Sequence, residues 1–495
     1  MQEIIIPLIA TLLYFFISLT AIGIYVNRKY IRKSIDYTVA SRTMPWWLVM
    51  FGAILLPFGV GNSLALSESS WIWGSGVLWW MIVGSGLTLV AAFVGYGRWA
   101  RRLGAETPHE AAGKVFDDRF RILSSAAVTV TTIAIASLEM FACSSIFYAL
   151  LGLPIEYCVI IAFCLYALYV ILGGMLQYSI LNFINIFVVY AGLAVGMWQI
   201  NSWLGPVGGI AGVSSYIEET MGPWSLHIAP PEMLAPLFAC LVIPILLAHT
   251  CAVVPICTQP VLGARSEKEV VKGWLPALLL NGFWGYSWTV VGLIAISVPL
   301  FLYGPLSGLI SMLRAAGTAG AVPATLFSLV SAGVPAVTGF FIALMAATIS
   351  TGGILAITGS TWISVDIVKP FIKPNISDKG LLRLLRALTL CILAISMLGA
   401  VIRPFLMGGF IYIFSFSIPV FLVTLYGLGW RRNSTAAATT VIIAWIVSIL
   451  WVLFGPAIMA TLPVWLHPPL GIVYPQSIVS VILYPILTLI SRRGR

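Results

Sequence analysis

The chain alternates between long apolar runs and short stretches that hold nearly all of its charge or are broken by Gly and Pro. Thirteen runs stand out, near residues 4–26, 46–70, 77–97, 122–150, 156–174, 176–200, 236–258, 274–303, 333–361, 386–402, 408–429, 436–456 and 471–490. Most are close to the ~20 residues a helix needs to cross a bilayer. None alternates apolar and polar positions with a period of two, so they predict helices and not barrel strands. Backbone in lipid must satisfy its own hydrogen bonds, which a helix does within one segment. The pattern predicts an all-α integral membrane protein of about 13 transmembrane helices.

Composition narrows the class further. The chain is 60% hydrophobic and 8% charged, where a soluble domain carries roughly 25% charged residues. That excludes a soluble globular protein, a disordered chain and a disulfide-rich secreted domain. Six of the seven cysteines fall within apolar runs and Cys257 at the end of one. None has metal-ligand spacing, so they read as small apolar packing residues.

The net charge of +10 raises nucleic-acid binding, and the placement of the basic residues decides against it. With the N-terminus outside and the C-terminus inside, 24 of the 26 Lys and Arg residues fall in inner loops and the C-terminal tail. Only Arg314 and Arg403 fall outside. This is the positive-inside asymmetry of a multi-pass plasma-membrane protein. The first run has Glu3 and no basic residue before it, and basic residues after it, so it reads as a retained helix and not a signal peptide. Two outer loops, 201–235 and 304–332, are long enough for short interfacial helices or lids.

Ionisable residues at membrane depth are costly and mark candidate sites. Glu139 lies mid-run in 122–150, and His249 lies inside 236–258. For Glu139 the alternative is a protonated or hydrogen-bonded carboxyl between packed helices. For His249 it is a satisfied interhelical donor. No Lys or Arg lies at membrane depth, so no fixed cation awaits an anionic solute. Two runs carry helix breakers at mid-depth: Pro57, Gly59 and Gly61 in 46–70, and Pro244 and Pro255 in 236–258. Interrupted helices at corresponding places in two halves point to a transporter site. There, unwound carbonyls hold a cation, and a polar solute meets half-helix ends near Asn62, Ser63 and His249. Ala347, Ser350 and Thr351 recur at i, i+3 and i+4 and share a helix face. A carbonyl and two hydroxyls there suit a hard cation such as Na⁺. The alternative is a small-residue packing face whose hydroxyls bond the preceding turn. No nucleophile–base pair or metal cluster is visible, so an enzyme is not expected.

Six stretches in order resemble the sodium/solute symporter family, whose members carry proline, pantothenate, sugars and related solutes with sodium. They are Asp36 to Trp47; Thr107 to Glu110 with Asp118 to Phe120; Gly173-Gly174 with Asn182 and Asn185; Thr258-Gln259 through Glu269; Ala347 to Phe371; and Gly427 to Arg432. The resemblance implies two inverted five-helix repeats with discontinuous helices, here 46–200 and 236–402. They are joined by the outer loop 201–235, preceded by a first helix and basic loop in 1–45, and followed by three C-terminal helices in 403–495. It implies a sodium site made of the carbonyls of Leu55, Phe58 and Ala347 and the hydroxyls of Ser350 and Thr351.

The departures from the family pattern are informative. An Asp that helps hold a second sodium in some members is Asn182 here, so one sodium is expected. The polar residues that sugar carriers place in the sixth core helix fall near Val254 and Pro255, which disfavours a carbohydrate. The expected function is sodium-coupled symport of a small organic solute, an amino acid, carboxylate or vitamin-like compound, by alternating access. Asn62, Ser63, Glu139 and His249 are the candidate solute contacts. The alternatives are proton coupling through Glu139 or His249 and, less favoured, a transporter-like membrane sensor.

Overall fold

The computed structural model describes residues 2–54, 59–151, 153–303, 325, 329–330, 332–401, 406–467 and 470–493. It contains no strand among the described residues; one isolated bridge joins Met44 and Ala264. Ten described helices are long and apolar enough to cross a membrane, and the bent pair Gly409–Ser415 and Ile418–Gly429 makes an eleventh. Two further apolar helical segments fall where the hydrophobic pattern marks runs. One is the shorter helix Ile155–Val170. The other is a helix in two pieces, Trp46–Ile54 and Val60–Trp73.

Burial sorts the helices into centre and rim. Of the best apolar window in Val334–Ile372, 94% is buried, against 33% for Ile6–Tyr30 and 28% for both Ser434–Gly455 and Val473–Ser491. A helix apolar all round is a buried core helix or a lipid-facing span, and here the two kinds are separated. The Val334–Trp362 helix is the axis of the bundle, packed against Gly174–Trp203, Asp118–Leu151 and Ile155–Val170. Close approach depends on small residues: a Cβ at Gly192 would strike the Gly339 carbonyl, and one at Gly339 would come within 2.6 Å of the Gly192 carbonyl. This is the small-residue contact that lets membrane helices pack tightly.

The breaks in the helices have local causes. After the Trp46–Ile54 helix and residues outside the description, Val60–Trp73 starts at Gly59, whose extended backbone (φ −46°, ψ 151°) serves as the N-cap. The second breaker-rich run behaves differently from expectation. Ile243–Leu262 is one continuous helix, with Pro255 and Pro260 inside it. Pro244 sits in its first turn, where no intrahelical donor is needed. Pro255 is fully surrounded by neighbouring helices, which tolerate a missing bond at depth. The irregularity lies earlier, in a π-helical stretch at Phe238–Val242. Similar π-helical stretches occur at Trp80–Ser85 and Ile363–Ile372.

The face bearing the basic loops is tied together by capping and ion pairs. Thr107, Ser266, Ser377 and Asn433 each accept the backbone N–H three residues on, starting the helices that follow. Arg102 pairs with Glu267 at 2.8 Å, and the buried carboxylate of Asp366 accepts from Arg121 at 2.7 Å and Thr107 at 2.8 Å. Ala40, Ser41 and Arg42 all hold positive φ, between 48° and 57°, a conformation rare outside Gly. Asp36 braces this turn by accepting the N–H groups of Arg32 and Lys33 and the Ser41 hydroxyl. The stretch 201–235 contains short helices, Gly209–Gly212 and Ser214–Met221 among them.

Candidate functional site

The second piece of the broken helix begins in the middle of the protein. Its first turn is met by Glu139, from the middle of Asp118–Leu151. The Glu139 carboxylate accepts the backbone N–H of Gly61 at 2.9 Å and also that of Asn62. These are orphan donors of a helix start, where the peptide dipoles favour negative charge. The carboxylate fits only because side chains are missing: a Cβ on Gly59 would collide with Glu139, and one on Gly61 would lie 2.8 Å from both Glu139 Oε1 and Phe410 Cζ.

Glu139, Asn62, His249 and Thr351 line one small cavity, closed by Ile135, Val253, Ile256, Phe410 and Phe414. The room open to the centre of a water-sized sphere is about 20 Å³, enough for a water molecule but not for an organic solute. His249 is held between aromatic rings, edge-on to Trp80 at 5.8 Å and to Phe414 at 5.4 Å. Its Nδ1 lies 3.0 Å from the Thr88 hydroxyl, which donates its own proton to the Gly84 carbonyl at 2.7 Å. That network makes His249 Nδ1 the donor and leaves Nε2 with its lone pair. Ser63 stands apart from this cavity. Its hydroxyl donates to the Gly59 carbonyl at 2.9 Å and accepts the indole N–H of Trp284 at 3.1 Å.

Across the cavity, Ser350 and Thr351 direct their hydroxyls to the Ala347 carbonyl, at 2.5 and 3.2 Å. These bonds to the preceding turn are those of the packing-face alternative, and they leave three oxygens together on one buried helix face. The donor set is all oxygen, which suits a hard cation. Leu55 and Phe58 lie outside the described residues. Around this face sits a second layer, of which Asn182 and Asn185 stand out in the sequence and Tyr166 and Tyr169 do not. Tyr166 shares a 2.6 Å bond with the Thr348 hydroxyl, and Asn185 donates to the Ala346 carbonyl at 3.4 Å and the Tyr169 hydroxyl at 3.0 Å. Asn182 donates to the Phe51 carbonyl at 3.0 Å and accepts from Tyr169. It spends its amide tying helices together.

Toward the basic face lies a further set of buried contacts. Gln259 accepts the indole N–H of Trp362 at 3.0 Å and donates to the carbonyls of Thr38 and Glu106. His109 stacks edge-on to Trp362, with ring centroids 4.6 Å apart, and its buried Nε2 has no partner. Burial, and then the nearby Arg121 charge, push the His109 pKa down to about 3. His109 and Ser124 face Cys251 and Pro255 across a narrow space on this side.

Comparison with known proteins bears on the fold and the family. In overall fold the chain is similar to a Na⁺-coupled sialic acid symporter solved in a substrate-bound outward-open state. The TM-score is 0.77 at 16% identity, over 97% of this chain and 98% of that one. It is less similar to a nucleobase-cation-symport-1 family transporter in a closed conformation, with a TM-score of 0.55 at 13% identity over 92% and 95% of the two chains. In sequence it is 26% identical to a sodium/glucose cotransporter of Vibrio parahaemolyticus over 477 residues, 88% of this chain and 83% of the relative. The sodium:solute symporter family model matches residues 37–458, most of the chain, and the chain therefore belongs to the sodium:solute symporter family, a multi-pass protein of the plasma membrane.

Proposed function

We propose that the chain carries one small organic solute per Na⁺ into the cell by alternating access. The observation that carries this reading is the grouping of the Ala347 carbonyl and the Ser350 and Thr351 hydroxyls on one face, with Thr351 sharing a cavity with Asn62 near the start of the Val60–Trp73 helix. Na⁺ held there, with the carbonyls of Leu55 and Phe58 completing its shell, would order the broken helix against the Val334–Trp362 axis. The solute would then bind beside Asn62, Glu139 and His249, its entry parting the aromatic wall of Phe410 and Phe414. Coupling of this kind is reciprocal: Na⁺ tightens the solute by the factor with which the solute tightens Na⁺. Each positive charge entering down 100 mV releases roughly 2.3 kcal/mol, enough for about a fifty-fold solute gradient before the Na⁺ gradient is added.

The stoichiometry of one follows from Asn182, whose neutral amide is engaged in helix packing. The basic loops are taken as cytoplasmic, so the N-terminus lies outside and the repeats are 46–200 and 236–402. The sequence relative is described as a glucose carrier. Glucose is not the solute proposed here, because Val254 and Pro255 fall near where the sugar carriers of the family place polar residues. A second reading, proton coupling, has one favouring observation, the carboxylate of Glu139 inside the cavity.

Solute uptake into proteoliposomes separates the two readings. The proposal expects accumulation driven by an inward Na⁺ gradient at equal pH on both sides. Accumulation driven by a proton gradient in K⁺ alone would replace it with proton coupling.

A further inference from the structure

We propose that the transported solute presents a protonated amine to Glu139, and that solutes with a carboxylate but no amine are rejected. The inference rests on the symport reading and adds the chemical class of the cargo. In carriers with a broken helix, the half-helix N-terminus is the natural seat for an anionic solute group. Here that seat is filled by the protein: Glu139 already accepts the N–H groups of Gly61 and Asn62. The seat is also shaped for Glu139, because Gly59 and Gly61 leave room for its carboxylate and nothing larger than hydrogen would fit. A second carboxylate arriving there would meet like charge in a low-dielectric pocket.

The other cavity groups complement an amine. Glu139 is 2% exposed and forms no ion pair among the described residues. His249 spends its Nδ1 proton on Thr88 and keeps Nε2 as an acceptor. Thr351 donates its hydroxyl proton to the Ala347 carbonyl. The cavity thus offers a carboxylate and an imidazole nitrogen as acceptors, while an ammonium group brings three donors and a positive charge. Phe410 and Phe414, with ring centroids 5.4 Å apart, supply aromatic wall that also favours a cation. Among the described residues no Lys or Arg lines the cavity to receive an anion.

The test is thermal stability of the purified full chain against matched sets of small compounds, each set an amine, its amino acid, its des-amino carboxylate and its alcohol. Each is run in NaCl and in KCl. The expected result is stabilisation by amine-bearing members, weakened more than about a hundredfold in Glu139→Gln. That variant keeps an oxygen for Gly61, and its retained stabilisation by Na⁺ alone checks that it folds. Na⁺-dependent stabilisation by a carboxylate or alcohol that survives in Glu139→Gln would overturn the amine assignment and leave the symport reading standing. So would the absence of any stabilising amine. Amines that bind equally in both salts and are lost in Glu139→Gln would support the assignment and overturn the sodium reading instead.

Discussion

The Glu139 carboxylate lies 2.9 Å from the backbone nitrogen of Gly61, so a residue from the middle of one helix caps the start of another inside the membrane. The contact depends on Gly61 having no side chain, since a Cβ there would sit 2.8 Å from Glu139 Oε1. Gly61→Ala should destabilise the protein by about 1–3 kcal/mol through overpacking. It should impair uptake more than a comparable change on the lipid-facing rim, such as Leu453→Ala. Thermal unfolding and uptake of the two variants check this; equal behaviour would mean the cap plays no part.

Ser350 and Thr351 should act as a pair. Each hydroxyl reaches the same carbonyl, and each supplies an oxygen on the same side of the proposed ion. Na⁺ at a hundred times its dissociation constant should stabilise the protein by about 2.7 kcal/mol. Ser350→Ala and Thr351→Ala should each remove most of that increment while leaving stability in KCl within roughly 1 kcal/mol of the parent, the scale of one net hydrogen bond. Loss of stability equal in both salts would mark them as packing residues.

Gln259 and Trp362 form a latch on the basic face. Gln259→Leu leaves the buried indole N–H unpaired, a cost of about 1–3 kcal/mol to the closed arrangement. A shift of that size changes an opening equilibrium roughly 5- to 150-fold. Cys251, buried on the narrow space behind the latch, reports it. In a Cys164→Ser, Cys391→Ser background, maleimide applied from the basic face should label Cys251 faster in Gln259→Leu, and Na⁺ should slow the labelling. An unchanged rate would show that the latch does not gate this side.

His109 should make the protein acid-sensitive. Its folded pKa is held down to about 3, first by burial, whereas in the unfolded chain it protonates near pH 6.5. The unfolded state therefore binds the proton first as pH falls, and stability is lost between about pH 6.5 and 3. From pH 6.5 to pH 5 the loss is about 2 kcal/mol, at 1.36 kcal/mol per unit. His109→Gln should flatten this part of the stability–pH profile without changing the profile above pH 7. An identical acid slope in the variant would assign the sensitivity elsewhere.

The hydrophobic pattern revealed most of the architecture because lipid permits few alternatives. Apolar runs become helices, and Gly59, one of the expected breakers, caps the start of Val60–Trp73. The Ala347, Ser350 and Thr351 face was legible because helical spacing fixes which side chains share a face. Pro255 misled because a proline's effect at depth is set by its neighbours, and here the helix runs straight through it. Ser63, two residues from Gly61, faces Trp284 and not the cavity, since the direction in which the second helix piece restarts is not written in local sequence. Gln259 with Trp362, and Asn185 with Ala346, are separated by more than a hundred residues, and only the packed bundle brings them together.

Equilibrium binding of radiolabelled Na⁺ to the purified protein tests the central claim most directly. The account predicts saturable binding near one ion per chain, not displaced by K⁺ and lost in Thr351→Ala. Binding that is absent, displaced by K⁺, or unchanged in Thr351→Ala would contradict a sodium site on the Ala347, Ser350 and Thr351 face.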